Sequence, residues 1–197
     1  MKVGTKSVLF GAHCFLIHPF FVAWAWTLLY GFPFDPRLYF AFFVHDLGYW
    51  GKPNMDGPEG ETHVEFGAKI MSIFGKRWAN FSRYHSRFYA KKDGVQFSRL
   101  CVADKLAVCL EPHWLYLPRV NWSGEIHEYM KLSGDRKYKG EPVNKYESMK
   151  LTTKSQKDWF LAMTGYLRRW VNEHRDGKVD TWTPEVKKAI DKTGVYQ

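Results

Sequence analysis

The sequence predicts an all-α fold, a helical bundle that carries an added C-terminal helix, and three observations support this prediction. Apolar residues recur at helical spacing in four segments, at about residues 19–30, 36–47, 98–110 and 155–174. Helix-start signals precede two of these segments, because Pro19 and the pair Asp35-Pro36 suit the first turn of a helix. The third observation is a series of histidines and aspartates whose spacing fits one residue per helix of a bundle.

Length and composition indicate a single domain, residues 1–197, with a preference for anionic partners. A chain of 197 residues is long enough for one well-buried core and short for two. The net charge of +9 suits nucleotides, nucleic acid or a membrane surface, and does not choose among them. Cys14, Cys101 and Cys109 lie in apolar surroundings without a CxxC spacing, so we expect reduced core residues of a cytoplasmic protein.

The apolar run at residues 8–32 is long enough to span a membrane or to act as a signal peptide. His13 and His18 lie inside the run, however, and Pro19 interrupts it. We therefore expect one or two buried helices over residues 5–30, broken near His18-Pro19, and no membrane span.

An adjacent pair, His45-Asp46, ends the apolar segment of the second predicted helix. A carboxylate buried beside an imidazole is costly unless a partner neutralises it, and a metal cation does so directly. His63, His85 and Asp104 follow at separations of 63−46 = 17, 85−63 = 22 and 104−85 = 19 residues. These gaps allow inward side chains of successive helices to converge on one metal centre.

These segments resemble the HD-domain superfamily of metal-dependent phosphohydrolases. The matching stretches are His45-Asp46-Leu47-Gly48, His63-Val64-Glu65-Phe66-Gly67-Ala68, Tyr84-His85-Ser86 and Val102-Ala103-Asp104-Lys105-Leu106. The two additional histidines are similar to those of the bimetallic subset, such as the HD-GYP cyclic dinucleotide phosphodiesterases and the YqeK-like diadenosine tetraphosphate hydrolases. The resemblance implies an HD-like metal-binding core over residues 13–110 and leaves residues 111–197 as a C-terminal extension.

The resemblance implies a site for two divalent transition-metal ions. Asp46 would bridge the ions, with His18, His45 and Asp104 around one of them and His63 and His85 on the other. Such a set favours Fe, Mn, Zn or Co over Mg²⁺, which prefers oxygen ligands. His18 and His13 are both candidates for the first metal ligand along the chain. His18 is favoured because Val22-Ala23 completes the superfamily's H-x-x-x-V-A pattern.

The chain departs from the HD-GYP pattern after the His-Asp pair. Tyr49 stands where that pattern has a phosphate-contacting lysine, and the nearest lysine is Lys52. We expect Lys52 to reach the site from a loop over residues 52–60. Glu61 is a weaker candidate for an acid-base or outer-shell role, because it lies two residues before His63.

A basic and aromatic segment, residues 76–92, surrounds His85 and predicts one amphipathic helix. Arg83, Arg87 and Lys91 are candidates for contacts with substrate phosphate, since a cation near the metals would neutralise the leaving oxyanion. The same alternation of cations and rings could bind single-stranded nucleic acid, or could be a solvated surface.

Further local signals predict the remaining connections. The capping box Thr62-x-x-Glu65 predicts a helix that runs to about Phe74. Pro112, which precedes residues 113–119, and Pro118 within them predict an irregular crossing. Residues 131–154 are polar and basic, which predicts a loop or lid over an anionic substrate, and the final helix would close the core or an oligomer interface.

Three functions follow from these patterns. The favoured one is a phosphohydrolase that cleaves a phosphoester or phosphoanhydride bond of a nucleotide with metal-activated water. Its substrate could be a deoxynucleoside triphosphate, a nucleoside monophosphate or a dinucleotide, although the Gly-Tyr-Pro signature of cyclic dinucleotide enzymes is absent. The alternatives are an HD-type di-iron oxygenase and a non-catalytic protein that binds nucleic acid or a membrane surface.

Overall fold

A computed structural model describes residues 1–135, 137–138, 141–142 and 155–175 of the chain. Within these residues the protein is all-α, as predicted, apart from one pair of two-residue strands. The helices are α1 (Val3–Phe10), α2 (His18–Tyr30), α3 (Pro36–Val44), α4 (Pro58–Glu61), α5 (Val64–Met71), α6 (Lys76–Arg83), α7 (Arg87–Lys92), α8 (Arg99–Leu110), α9 (His113–Ser123), α10 (Glu125–Asp135) and α11 (Gln156–His174). Two 3₁₀ helices, Leu47–Tyr49 and Ser72–Phe74, and the antiparallel strands β1 (Lys137–Tyr138) and β2 (Glu141–Pro142) complete them.

Helices α2 and α8 form the centre of the bundle and run in opposite directions. His18 at the start of α2 meets Asp104 in the middle of α8, whereas Tyr30 at the end of α2 lies against Arg99 at the start of α8. Helix α2 carries no charged residue, so it can pack on several neighbours without burying a charge. The core around this pair consists of Val22, Ala25, Trp26, Ala41, Phe42, Val44, Met71, Leu100, Ala103 and Ala107.

The N-terminal apolar run forms two helices, α1 and α2, separated by residues 11–17. Pro19 lies in the first turn of α2, as expected, where its missing N–H costs nothing. Gly31 follows Tyr30 with a φ of 84°, a left-handed value that suits glycine, and this ends α2. Among the described residues, no helix is both long and apolar enough to cross a bilayer.

The second predicted helix begins as expected and ends early. The Asp35 side chain accepts a hydrogen bond from the Arg37 N–H and Pro36 takes the first position, so the predicted start is confirmed. Helix α3 ends at Val44 rather than at residue 47, and Leu47–Tyr49 is a separate 3₁₀ helix. His45 and Asp46 therefore occupy the turn between the two.

The predicted capping box is wrong. Thr62 follows the single-turn helix α4, and its hydroxyl donates to the Glu59 carbonyl and accepts from Lys52 Nζ. His63, not Thr62, occupies the N-cap position of the next helix. Helix α5 starts at Val64 without a side-chain cap, and a 3₁₀ turn completes it at Ser72–Phe74. The Glu65 carboxylate forms an ion pair with Arg83 instead.

Two further expectations are corrected. Residues 76–92 form two helices, α6 and α7, with a break at residues 84–86 that places His85 between them. The Ser86 hydroxyl accepts a hydrogen bond from the Tyr89 N–H and so starts α7. Residues 113–119 are helical, because Pro112 precedes the first turn of α9 and the helix tolerates Pro118 in its interior.

The described helices of the C-terminal extension pack against the preceding core. Helix α9 contacts α1, and the predicted final helix α11 packs on α8 and α9. The Ser155 hydroxyl accepts from the Asp158 N–H at the start of α11. The predicted loop or lid at residues 131–154 is shortened, because its first five residues belong to α10. Residues 136, 139–140 and 143–154 of that segment lie outside the described residues.

Candidate metal centre

Six side chains from five parts of the chain meet beside α2 and α8. His18 comes from the start of α2 and Asp104 from the middle of α8, while His45 and Asp46 come from the turn after α3. His63 immediately precedes α5, and His85 lies in the break after α6. The four imidazoles and Asp46 are all buried, and the Asp104 side chain is 20% exposed. The helices therefore bring together every residue that the sequence proposed as a metal ligand.

The Asp46 carboxylate lies between two groups of histidines and presents a different oxygen to each. Its Oδ2 lies 3.0 Å from His45 Nε2 and 3.5 Å from His18 Nε2. Its Oδ1 lies 3.4 Å from His85 Nε2 and 3.7 Å from His63 Nε2. This arrangement suits a carboxylate that bridges two cations.

Asp104 belongs to the first of these groups. Its Oδ1 is 2.9 Å from His18 Nε2 and 3.8 Å from His45 Nε2. Ligand atoms of His18, His45, Asp46 and Asp104 all lie within 4.8 Å of one another, and so do those of Asp46, His63 and His85. Each set of buried side chains could hold a metal ion, and Asp46 is common to both.

Three of the four imidazoles are oriented by the same kind of backbone contact. The Nδ1 atoms of His45, His63 and His85 lie 3.0, 2.8 and 2.5 Å from the carbonyl oxygens of Phe42, Gly60 and Ser82, respectively. A carbonyl oxygen only accepts, so each Nδ1 must donate its proton, which leaves Nε2 to bind a cation. Metal-binding histidines in proteins are commonly fixed in this way.

The polar atoms in the centre lack the partners that a metal-free site would need. His63 Nε2 and His85 Nε2 face each other at 3.0 Å, although the backbone contacts make both of them acceptors. Within the described residues, His45 Nε2 and Asp46 Oδ2 are buried without a hydrogen bond of good geometry. Leaving such groups unsatisfied costs on the order of 1–3 kcal/mol each. A divalent cation on each side of Asp46 would satisfy these atoms, so the residues fit metal ions.

The pKa values of the histidines differ between the two sides of the centre. Burial opposes a proton on His45, but the Asp46 and Asp104 carboxylates outweigh it and raise the pKa of His45 to about 10. Burial and the facing His85 lower the pKa of His63 to about 3. Although burial opposes their ionisation, the neighbouring imidazoles hold the pKa values of Asp46 and Asp104 well below the usual range. Both carboxylates are therefore ionised, as cation ligands must be.

His13 lies beside this centre and outside both ligand sets. Its Nδ1 is 2.8 Å from the Ser7 hydroxyl and 3.6 Å from Glu125 Oε2, and its ring is 5.8 Å from that of His18. Burial opposes protonation, yet the Asp46 and Glu125 carboxylates raise the pKa of His13 to about 9. The geometry thus places His18 among the possible ligands and pairs His13 with Glu125.

Sequence reasoning missed two residues around the centre. Tyr49 stacks on His63, with ring centroids 3.9 Å apart and planes 10° apart, so it packs on one face of that imidazole. Glu125 is fully buried and accepts hydrogen bonds from Ser7, from Tyr129 and from the Ala12 N–H. Tyr49 was visible only as a departure from the family pattern, and nothing in the sequence around Glu125 signals its burial.

Lys52 and Glu61, the proposed acid-base and phosphate-contacting residues, lie on the His63 side of the centre. Lys52 Nζ donates to the Thr62 hydroxyl at 2.5 Å and lines a shallow groove of about 520 Å³ outside Gly48. Glu61 accepts from the Ser86 hydroxyl at 3.4 Å, next to His85. Neither residue belongs to the two ligand sets.

The three basic candidates on α6 and α7 occupy different surroundings. Arg83 forms an ion pair with Glu65 and lies 5.6 Å from the Tyr89 ring centroid, so its guanidinium is engaged by a carboxylate. Arg87 lies over the Trp170 ring at 5.2 Å. Lys91 is half-buried, one turn further along α7.

Comparison with protein-family models, with curated proteins and with solved structures finds no match to this chain. The resemblance to the HD-domain superfamily therefore stays a prediction that rests on the residues quoted above.

Proposed function

We propose that this protein is an HD-type phosphohydrolase that uses two divalent metal ions to cleave a phosphoester or phosphoanhydride bond of a nucleotide. The strongest support is the division of the Asp46 carboxylate, whose Oδ2 lies against His45 and whose Oδ1 lies against His85. Two-metal hydrolases need such a shared ligand to hold their ions close together. Asp104 supplies a second carboxylate on one side only, so the two positions would differ in charge.

The donor set favours Fe, Mn, Zn or Co over Mg²⁺, because imidazole nitrogen suits the former ions and oxygen suits the latter. When bound, a pair of such ions lowers the pKa of water and polarises a phosphoryl oxygen. The chain then needs no nucleophilic side chain of its own. Its residues are left to hold the ions, to orient the phosphate and to move protons.

The remaining polar residues near His63 and His85 would serve the substrate. Arg87 and Lys91 follow His85 on α7 and would neutralise charge on the leaving oxyanion. Glu61 lies within reach of the Ser86 hydroxyl, which places a carboxylate beside His85 that could exchange a proton with the reacting water or the leaving group. Lys52 would contact phosphate from the His63 side.

A nucleotide is the proposed substrate class because the chain has a net charge of +9 and the Lys52 ammonium contacts Thr62, next to His63. The absent Gly-Tyr-Pro signature makes a deoxynucleoside triphosphate, a nucleoside monophosphate or a dinucleoside polyphosphate better candidates than a cyclic dinucleotide. A cytoplasmic location belongs to the same proposal, since Cys14, Cys101 and Cys109 are buried free thiols.

Metal analysis followed by a nucleotide panel tests the proposal. Protein purified without chelator should contain close to two transition-metal ions per chain and should release phosphate or a nucleoside monophosphate from at least one nucleotide under anaerobic conditions. Oxygen consumption by an iron-loaded protein, without phosphate release, would identify a di-iron oxygenase instead. Sub-stoichiometric metal with salt-sensitive binding to polyanions and no turnover would contradict both enzymes.

Two substitutions separate metal binding from substrate binding. Asp46→Ala should abolish both metal content and activity, because it removes the shared ligand, and Asp158→Ala on the exposed start of α11 is the matched control. Arg87→Ala should keep its metal and mainly raise KM, with Lys157→Ala as its control for lost positive charge. Full turnover by the Asp46 variant would refute the assignment.

A further inference from the structure

A second groove lies at the other end of the α2–α8 pair, away from the metal centre. Its volume is about 720 Å³, within the range of about 300–1,000 Å³ that small-molecule sites occupy. The groove runs between the end of α2, the start of α3, helix α6 and the start of α8. The side chains that matter for its chemistry are Trp26, Arg37, Arg77, Trp78, Ser98 and Arg99.

The charge of the groove is positive. Three guanidinium groups line it, from Arg37, Arg77 and Arg99, and Asp35 is the one acidic residue among its described lining. Asp35 is already paired with Arg37, at 2.7 Å. The groove therefore offers a net positive charge to an anion, in the form of the forked donors that bind phosphate oxygens two at a time.

Aromatic rings form the apolar wall. The Arg37 guanidinium lies 4.8 Å from the centroid of Trp78, and Phe81 contacts both Trp78 and Trp26 edge-on, at 5.4 and 5.9 Å. Trp78 is half-buried, so part of it remains accessible. A flat ring beside several arginines suits a ligand that carries both an aromatic base and negative charge.

An unsatisfied hydroxyl adds a polar contact. Ser98 Oγ is buried without a hydrogen-bond partner in the described part of the chain, although Ser98 precedes α8 and could have capped it. Buried hydroxyls are normally paired, so this atom is an unmet hydrogen-bonding group in the wall of the groove.

The groove is separate from the metal centre. Trp26 lies eight residues after His18 on α2, and Arg99 lies five residues before Asp104 on α8. At the rise of an α-helix these separations correspond to roughly 12 Å and 7 Å along the two axes. The buried side chain of Phe42, which contacts Trp26 at 5.6 Å, belongs to the core between them.

We propose that this groove is a second binding site, for a nucleoside diphosphate or triphosphate, whose phosphates contact Arg77 and Arg99 and whose base stacks on Trp78. The site is distinct from the proposed catalytic centre and does not require that the protein hydrolyse anything. Arg37 is paired with Asp35 and packs on the Trp78 ring, while Arg77 and Arg99 bind the phosphates.

Calorimetric titration of the metal-free protein with ATP, in the presence of EDTA, tests this site without the metal centre. One ATP should bind per chain, and Arg77→Gln and Arg99→Gln should each weaken binding about tenfold or more. Both side chains are exposed, so these variants should fold. Lys157→Gln, an exposed cation on α11, should bind ATP like the unmodified protein and thereby excludes an effect of net charge.

Two further comparisons separate base from phosphate and groove from metal centre. Inorganic tripolyphosphate should bind more weakly than ATP, and Trp78→Leu should remove that difference, whereas Trp122→Leu, an exposed tryptophan on α9, should not. Unchanged ATP binding by both arginine variants would overturn the proposal. Binding that is lost in Arg87→Ala but kept in Arg77→Gln would also overturn it, because the nucleotide would then lie at the metal centre.

Discussion

At the scale of single residues, the candidate centre depends on one carboxylate among four imidazoles. Isolated in a buried site, the Asp46 anion would be costly to desolvate, and it would favour protonation instead. The surrounding rings, oriented by backbone carbonyls, reverse this preference and keep the pKa of Asp46 well below its usual range despite burial. The same orientation aims the Nε2 lone pairs of His63 and His85 at each other, an arrangement that a cation stabilises.

The raised pKa of His45 predicts how metal uptake depends on pH. In the metal-free protein His45 keeps its proton until about pH 10, whereas the pKa of His63 is about 3 and that ring is already neutral. At pH 8 a metal must therefore displace one proton from His45 and none from His63, so the affinity should rise as the pH approaches 10. Calorimetry with Zn²⁺ in buffers of different ionisation enthalpy measures this proton release.

The stability of the metal-free protein provides the matching control, because it should fall toward pH 10 while the metal affinity rises. Because the pKa of His45 in the folded protein lies above the ordinary histidine value of 6.5, protonation stabilises the fold below about pH 6.5. That contribution is lost as the pH rises through about 10. Metal uptake without proton release at pH 8, or a metal-free protein whose stability does not fall toward pH 10, would contradict the assignment.

At the scale of elements, helix ends rather than helix bodies supply most of the possible ligands. The carbonyls that hold His45 and His85 belong to Phe42 in the last turns of α3 and Ser82 in α6, where carbonyl oxygens lack intrahelical partners. A histidine three residues after such a carbonyl donates its Nδ1 proton to it. The same hydrogen bond directs Nε2 of the ring toward the centre. Asp104 is the exception, because it lies in the interior of α8.

Close packing of these ends predicts opposite effects for two glycine substitutions. A Cβ on Gly48 would lie 1.9 Å from the His63 carbonyl oxygen, so Gly48→Ala must move the 3₁₀ turn away from α5. We expect a loss of about 1–3 kcal/mol of stability and weaker metal binding. Gly165→Ala in α11 meets nothing within 4 Å and should stabilise by about 0.5–1 kcal/mol, since alanine favours helix. Urea denaturation with metal analysis measures both.

The stabilities of Gly48→Ala and Gly165→Ala test whether the turn after Asp46 is closely packed. Equal stability of the two variants would mean that the turn after Asp46 is not packed against the start of α5. Retained stability of Gly48→Ala would contradict this packing even if the variant lost its metal.

At the scale of the whole molecule, the centre links parts of the chain that are far apart in sequence. His18 and Asp104 are separated by 86 residues and meet at 2.9 Å. A metal that binds this folded arrangement and not the unfolded chain stabilises the fold by mass action. Because the possible ligands lie on α2 and α8 and at the ends of α3, α5 and α6, that stabilisation should be global rather than local.

Metal removal should therefore lower the melting temperature. At a free metal concentration of 100 times Kd the stabilisation is about 2.7 kcal/mol, and for a chain of this size each kcal/mol shifts Tm by about 2–4 °C. We expect chelation to lower Tm by about 5–10 °C in a thermal scan. Asp46→Asn should melt at the same temperature with and without chelator, and an equal shift in that variant would contradict a metal held by Asp46.

The positions of the helices followed from the sequence where local chemistry is sufficient. Asp35-Pro36, Pro19 and the apolar spacing of residues 98–110 and 155–174 all correspond to helices that form. The capping box at Thr62 failed because both of its side chains have other partners. The Thr62 hydroxyl accepts from Lys52 and Glu65 pairs with Arg83. The break at His85 was missed for a similar reason, since the Ser86 hydroxyl starts a new helix within a continuous amphipathic pattern.

The sequence by itself determined which residue types are present for metal binding and the helical class of the fold, because donor chemistry and apolar spacing are properties of the chain alone. Only the tertiary structure decided which oxygen of Asp46 faces which imidazoles, that Tyr49 stacks on His63, and that Arg77 and Arg99 share one groove. These facts depend on where helices end and how they cross. Packing between distant segments fixes both, and no local pattern contains that information.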